Sequence, residues 1–322
     1  MSIVPRLGAR TLLSSSAYYS SCFEGVSSKS LRSRAPKTNT FIARMTTKSH
    51  YEAHTAESYE SAFFYEEGAY TKRLCDLVVE KLCLKQEASS ARTLLDIGGG
   101  TGNFTRMLTR ESTMDLNAIV VDPFLSESST AKDGTNELSF VKASAESFME
   151  SQVDETDQWW RQGYHQILMK EVVHHFQAPD RTKIFKGMWN GLAERVTTKQ
   201  QQAQIPSVLI ITRPQREIDY PLWAEAREVW AANQPHVDEL VQDLKTAGFA
   251  TVDYSIEGYP CAIELKRWQS MVKQRFWSTF SNFSDADLEA ACKTIEESER
   301  DRVDAHGRIQ FEDRLVFIVA HR

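Results

Sequence analysis

Residues Leu94–Gly102 read Leu-Leu-Asp-Ile-Gly-Gly-Gly-Thr-Gly, an apolar run that stops abruptly at glycine. Thr93–Ile97 has the composition of a short buried strand. Phe104, Met107 and Leu108 then recur at helical spacing. Glycines at 98, 100 and 102 strip the Cβ atoms from the tight turn between strand and helix. Such a turn lets the backbone approach a ligand closely. A chain with this feature is constrained to an α/β architecture, because the helix must cross back over the sheet.

The rest of the sequence alternates accordingly. Ala118–Val121, Leu138–Val141, Gln166–Lys170 and Ser207–Thr212 read as further strands, and Phe249–Ile256 and Leu315–His321 as the last two. Tyr70, Leu74, Leu77, Val78 and Leu82 predict a helix over 66–84. Ile184, Phe185, Met188, Trp189 and Leu192 mark another, and Val237, Leu240, Val241 and Leu244 a third that closes at Gly248. Ser284 and Asp287 resemble a capping box that opens a helix to about residue 299. The alternation predicts a doubly wound, seven-stranded, mostly parallel sheet with N-terminal lid helices.

A glycine-rich turn alone also suits other nucleotide ligands. The dinucleotide fingerprint G-x-G-x-x-G, however, places its third glycine later than Gly102. Asp96-x-Gly98-x-Gly100-x-Gly102 resembles motif I of class I S-adenosylmethionine-dependent methyltransferases. The resemblance implies that Asp96 and Gly98 lie near the amino-acid end of S-adenosylmethionine, while Gly100 and Gly102 shape the turn. Asp122 ends the second strand, where an acid suits a bidentate grip on two ribose hydroxyls. Pro123 and Phe124 follow it, and Phe124 is placed to pack near adenine. Ala145 and Glu146 fall where the family contacts the adenine ring, although its acid there is often Asp. Lys170 ends the fourth strand, where the family's cofactor and acceptor meet.

The acceptor side is less marked. Methyl transfer needs alignment, exclusion of water and, for some acceptors, removal of a proton. His174 and His175 follow the fourth strand and are the candidate bases, since imidazole titrates near neutrality. The same pair also suits a purely loop-holding role. Glu171 beside them lacks a third partner for a zinc site, so no metal is expected. Tyr59, Phe63, Phe64, Tyr65 and Tyr70 form an aromatic stretch suited either to a lid facing the sulfonium or to plain packing. Arg275-Phe276-Trp277 resembles the acceptor-side helix of small-molecule enzymes related to trans-aconitate methyltransferase. There Arg275 is a candidate carboxylate clamp, with Trp223, Trp277 and Tyr65 as candidate walls.

Charge narrows the partners. Residues 1–48 hold eight Lys and Arg against one acid, Glu24, within a chain whose net charge is −6. The remaining body is therefore strongly acidic, a poor match to nucleic-acid phosphates. The basic, serine-rich segment has the composition of a transit peptide, for a mitochondrion or alternatively a plastid. A disordered tail on a cytoplasmic protein is the other reading. The five cysteines, at 22, 75, 83, 261 and 292, form no C-x-x-C and favour a reducing compartment. No apolar run is long enough to span a bilayer. The organisation expected is 1–48 as leader or tail and 49–322 as catalytic domain: lid helices to 90, a cofactor half to 215 and an acceptor half beyond. The expected activity is methylation of a small molecule at an oxygen, carboxylate or sulfur, a thioether included. The alternatives are a non-catalytic binding or assembly factor, and a protein or RNA methyltransferase. The oligomeric state is left open.

Overall fold

The computed structural model describes residues 69–85, 91–125, 138–151, 163–194 and 205–322. The expected leader and the aromatic residues before Tyr70, Tyr65 among them, lie outside these residues. Helix α1 (Ala69–Lys81) leads into β1 (Arg92–Ile97), α2 (Asn103–Glu111), β2 (Leu116–Val121), β3 (Leu138–Val141), α3 (Ala145–Ser151) and β4 (Gln166–Lys170). A short 3-10 turn, Val173–His175, precedes α4 (Ala178–Gly191) and β5 (Ser207–Thr212). Then come α5 (Ala224–Asn233), α6 (Val237–Ala247), β6 (Thr251–Glu264), α7 (Leu265–Lys273), α8 (Asp285–Ser298) and β7 (Arg308–His321).

The sheet has seven strands in the order β3-β2-β1-β4-β5-β7-β6. Pairings among β1 to β5 are parallel, and β7 runs antiparallel to both its neighbours. Successive strand residues face opposite sides, and the core divides accordingly. Leu94, Ala118, Leu168 and Leu209 pack on one side under α1, α2, α5, α7 and α8. Leu95, Ile119, Ile167 and Ile210 pack on the other under α3, α4 and α6. Burial on both faces explains why these strands read as continuous apolar runs rather than alternating ones.

The strand order reverses between β1 and β4. In an open α/β sheet the crevice at that reversal, beyond the carboxyl ends of the strands, is where ligands bind. The glycine turn, Asp122 and Lys170 all sit at those strand ends.

Helix ends follow their sequence signals. Ser284 accepts from the Asp287 amide, and the Asp287 carboxylate accepts from the Ser284 amide, closing the expected capping box. Gly248 ends α6 in the left-handed region at φ 114°. The last two strands are longer than their apolar stretches suggest. β6 continues beyond Ile256 through Gly258 and Pro260, and β7 begins seven residues before Leu315, together making an in-register ladder from Thr251↔His321 to Glu264↔Arg308. Pro260 is tolerated because β6 is the edge strand, where a missing N–H need not break a ladder. In β7 the charged residues between 308 and 314 hide a clean alternation in which Ile309, Phe311, Asp313 and Leu315 face inward.

Candidate active site

The turn after β1 is held from both sides. The Gly98 amide donates to the Val121 carbonyl at 2.7 Å, and Gly98 sits at φ 74°. A Cβ there would lie 2.7 Å from Cγ2 of Val172, so neither backbone nor space admits a side chain. Gly100 differs: a Cβ there would meet nothing within 4 Å, which leaves this part of the turn open to a ligand. Its amide donates to Oδ2 of Asp122 at 3.1 Å, while Oδ1 accepts from the Phe124 amide at 2.8 Å. Burial pushes the Asp122 carboxyl above its usual range, and these two amides partly offset it. Asp96 faces inward. It is buried and accepts from the Thr105 hydroxyl of α2, so it ties the turn to the helix that follows. Desolvation raises its pKa to about 6, opposed by the Thr105 hydrogen bond and by the charge of Lys170.

Beside the turn, a cavity of about 300 Å³ opens at the ends of β4 and β5. Its walls include Tyr70, Phe104, Trp230 and Trp277, with Lys170 and His174 among the polar lining. Lys170 lies 5.3 Å from the centre of the Phe104 ring. Glu171 and Arg213, also in the lining, form an ion pair. Glu171 has φ 59°, the left-handed region that non-glycine residues rarely adopt, and such backbone strain tends to cluster at functional sites. Behind the pair lies Asp313, wholly buried. It accepts from Tyr70 Oη at 2.5 Å, from Tyr220 Oη, and from Arg213 at 3.3 and 3.4 Å. Low dielectric makes such a hub stiff when every member is paired.

Gln234, at the C-terminal end of α5, also lines the cavity. It is 8% exposed, and its Oε1 has no hydrogen-bond partner.

Desolvation lowers the His174 pKa to about 4. His165, whose Nδ1 accepts from the Thr93 amide at 3.1 Å, is likewise lowered to about 4 by burial and by Arg92. Both are therefore neutral near pH 7 in the folded protein, and His174 is a weak base unless a substrate alters its surroundings. The linkage signs follow. Between pH 6.5 and about 4 the unfolded chain takes up protons that these histidines refuse, so acidification removes stability. Asp96 acts the other way: its folded pKa is raised, so it adds stability as pH falls through about 6. Two groups outweigh one. A net loss of about 2 kcal/mol between pH 7 and pH 5 is expected from these three groups. Urea midpoints at the two pH values check it, and the fall should shrink in His165→Gln.

A family model described as a methyltransferase domain matches residues 65–254. The chain belongs to the class I methyltransferase family.

Its donor is accordingly S-adenosylmethionine. Solved structures similar to this methyltransferase include phosphoethanolamine N-methyltransferase 2 of Haemonchus contortus, crystallised with S-adenosylhomocysteine. It is 15% identical at a TM-score of 0.49, with 85% of this chain and 58% of that chain covered. Another is the cyclopropane synthase MmaA2 of Mycobacterium tuberculosis, 17% identical at a TM-score of 0.44, with 77% and 83% covered. This chain thus spans well under two thirds of the Haemonchus enzyme. No curated protein sequence matches it.

The residues present fit this cofactor. The open face of Gly100 lies beside a carboxylate whose two oxygens have lone pairs beyond the two amide bonds they accept. Phe124 is 44% exposed next to it, an apolar ring on the side where a purine would lie. Pro123 is exposed alongside. Ala145 is buried at the start of α3, and Glu146 borders a separate depression between α3 and α4.

On the acceptor side the structure brings together Lys170, His174 and Trp277. It does not bring Arg275, Trp223 or His175 to the same wall. Nη2 of Arg275 donates to the Phe283 carbonyl at 2.9 Å and pairs with Asp285 at 2.7 Å, so this guanidinium fastens the start of α8. Trp223 stacks on Phe280 at 5.9 Å inside the core. The His175 ring packs on that of His174 at 4.0 Å, outside the lining. Sequence reasoning missed Arg213, Tyr220, Gln234 and Asp313. Among the described residues, no cluster of His, Cys, Asp and Glu could hold a metal ion. Nor is any described helix long and apolar enough to cross a membrane.

Proposed function

We propose that the protein methylates a small molecule held in the cavity beside the glycine turn. One observation carries this reading. The space next to the cofactor turn is a partly enclosed, aromatic-walled cavity of about 300 Å³, a volume suited to a small molecule. Bound S-adenosylmethionine supplies the methyl group and a sulfonium leaving group. Asp122 grips the ribose hydroxyls, Gly98, Gly100 and Gly102 bring the backbone against the methionyl end, and Asp96 holds that turn to α2. Phe124 covers the purine. Trp230 and Trp277 exclude water and orient the acceptor. His174, neutral in this setting, takes a proton where the acceptor carries one. The basic, acid-poor leader supports delivery to an organelle, with the mitochondrion as first choice.

Calorimetric titration of the full-length protein with S-adenosylmethionine and S-adenosylhomocysteine should give micromolar binding of both. Incubation with methyl-labelled donor and cell extract should then place label in small products. Label confined to protein or RNA would overturn the small-molecule reading.

A further inference from the structure

A strand at the edge of a sheet presents unpaired N–H and C=O groups, and another chain can add to it there. The edges of this sheet are β3, of 4 residues, and β6, of 14. The pairing with β7 fixes which backbone groups of β6 are already used. The Leu265 amide donates to the Gly307 carbonyl at 3.1 Å, one step beyond Glu264↔Arg308, and the register runs unbroken from there to Thr251. Odd-numbered residues of β6 therefore turn their N–H and C=O groups toward β7, and even-numbered residues turn theirs outward. Pro260 agrees with this, since its missing N–H falls on the outer side.

Proteins protect edges with proline, bulges or charge. Here Pro260 guards only the later half of the strand. Earlier, the outward-turned positions are Val252, Tyr254 and Ile256, and the last two are 49% and 43% exposed. These even-numbered side chains share the sheet face of Val316 and Ile318. The opposite face is charged. Asp253 is exposed, and Lys81 of α1 reaches across the strand: its Nζ donates to Ser255 Oγ at 2.9 Å and stands 3.7 Å from Glu257.

We infer that this edge is an interface between two copies of the chain, with β6 pairing antiparallel to the partner's β6 about a two-fold axis at Tyr254. The strand complements itself in this register and not in the adjacent ones. Val252 meets the partner's Ile256, Tyr254 meets the partner's Tyr254, and these pairs exchange backbone hydrogen bonds reciprocally. On the other face the partner's Asp253 comes opposite Ser255, beside the Lys81 ammonium, and the symmetry repeats this ion pair. An axis at Ser255 would set Asp253 against the partner's Glu257, two like charges. An axis at Ile256 would set Val252 against the partner's Pro260, which has no N–H to give.

Sedimentation of the full-length protein, from micromolar concentration to its solubility limit, should show a dimer. Tyr254→Pro removes one outward N–H and leaves the ladder to β7 intact, as Pro260 does. It should be monomeric and bind S-adenosylhomocysteine as the wild type does. Asp253→Lys, which brings two ammonium groups together, should weaken the dimer about tenfold or more. Oxidation tests the register, with the wild type as control for the native cysteines. Tyr254→Cys should form a disulfide-linked dimer, because the Cα atoms of such a pair lie about 5.5 Å apart, within disulfide reach. Ser255→Cys should not, since its counterpart is a diagonal neighbour about 7–8 Å away. A wild type that stays monomeric throughout, a dimer that survives Tyr254→Pro, or cross-linking of Ser255→Cys in place of Tyr254→Cys would each overturn the assignment.

Discussion

Asp313→Ala should lower the folding stability by about 3 kcal/mol, the low end of the cost of breaking a buried ion pair, because Glu171 still pairs with Arg213. The carboxylate is wholly buried and serves Tyr70, Tyr220 and Arg213 at once. Its loss leaves the Arg213 guanidinium, itself 6% exposed, with Glu171 as its remaining carboxylate partner in the cavity wall, and leaves the Tyr70 and Tyr220 hydroxyls without their shared acceptor. Folded domains are typically stable by only about 5–15 kcal/mol, so the variant should be close to its limit at 37 °C. Urea unfolding followed by circular dichroism measures the loss. Asp313→Asn keeps the volume and some hydrogen bonds, and should fall between the two. The double variant Arg213→Met, Asp313→Leu is the informative control. It removes both buried charges, and apolar replacement of a buried pair is often neutral. Glu171, whose side chain is 21% exposed, can then be hydrated. Recovery of most of the lost stability by the double variant is the expected result. A loss below about 1 kcal/mol in Asp313→Ala would mean that the hub is no tighter than a surface pair.

This hub shows where the sequence stops being readable. Strands β1, β2, β4 and β5 are legible because burial on both faces leaves nearly unbroken apolar runs, as in Leu94, Leu95 and Ile97. The motif residues are legible because one turn of chain places Asp96, Gly98, Gly100 and Gly102 together, and a strand end places Asp122 beside them. Nothing comparable announces Asp313. It stands among Glu312 and Arg314, looks like surface, and is carried into the core only by the register of β7 against β6. That register is a long-range pairing, and a slip of one residue would turn Asp313 to the opposite face. Arg213 is similar: it follows β5 by one residue, and its meaning depends on a partner 100 positions away.

The acceptor side divides along the same line. Trp277 is visible as an aromatic among basic residues, and it does line the cavity. Arg275, two residues earlier, has the same local look but reaches Phe283 and Asp285 instead, because its backbone turns through φ 54° after α7. A single left-handed residue redirects the side chain, and no spacing rule reveals it.

Asp122→Ala should weaken binding of S-adenosylhomocysteine about a hundredfold or more. The estimate rests on two hydrogen bonds from ribose hydroxyls to a carboxylate, each worth about 1.5–3 kcal/mol, with every 1.4 kcal/mol equal to tenfold. The same carboxylate also receives the amides of Gly100 and Phe124, so truncation releases part of the turn as well as the sugar. The two effects are separable. S-adenosylhomocysteine lacking the 2′-hydroxyl should bind the wild type less tightly than the natural compound, and Asp122→Ala should bind both alike. If the variant weakens both by the same factor and the wild type does not distinguish them, Asp122 acts on the turn and not on the ribose. Acid should have the same direction of effect as the substitution. Burial holds the Asp122 carboxyl above its ordinary range, so protonation begins earlier on acidification than for an exposed aspartate. A protonated carboxyl can no longer accept from both hydroxyls at full strength. Affinity measured by calorimetry should therefore decline from neutral pH toward the acid range in the wild type, and this decline should be weaker in Asp122→Asn, which has no proton to gain there.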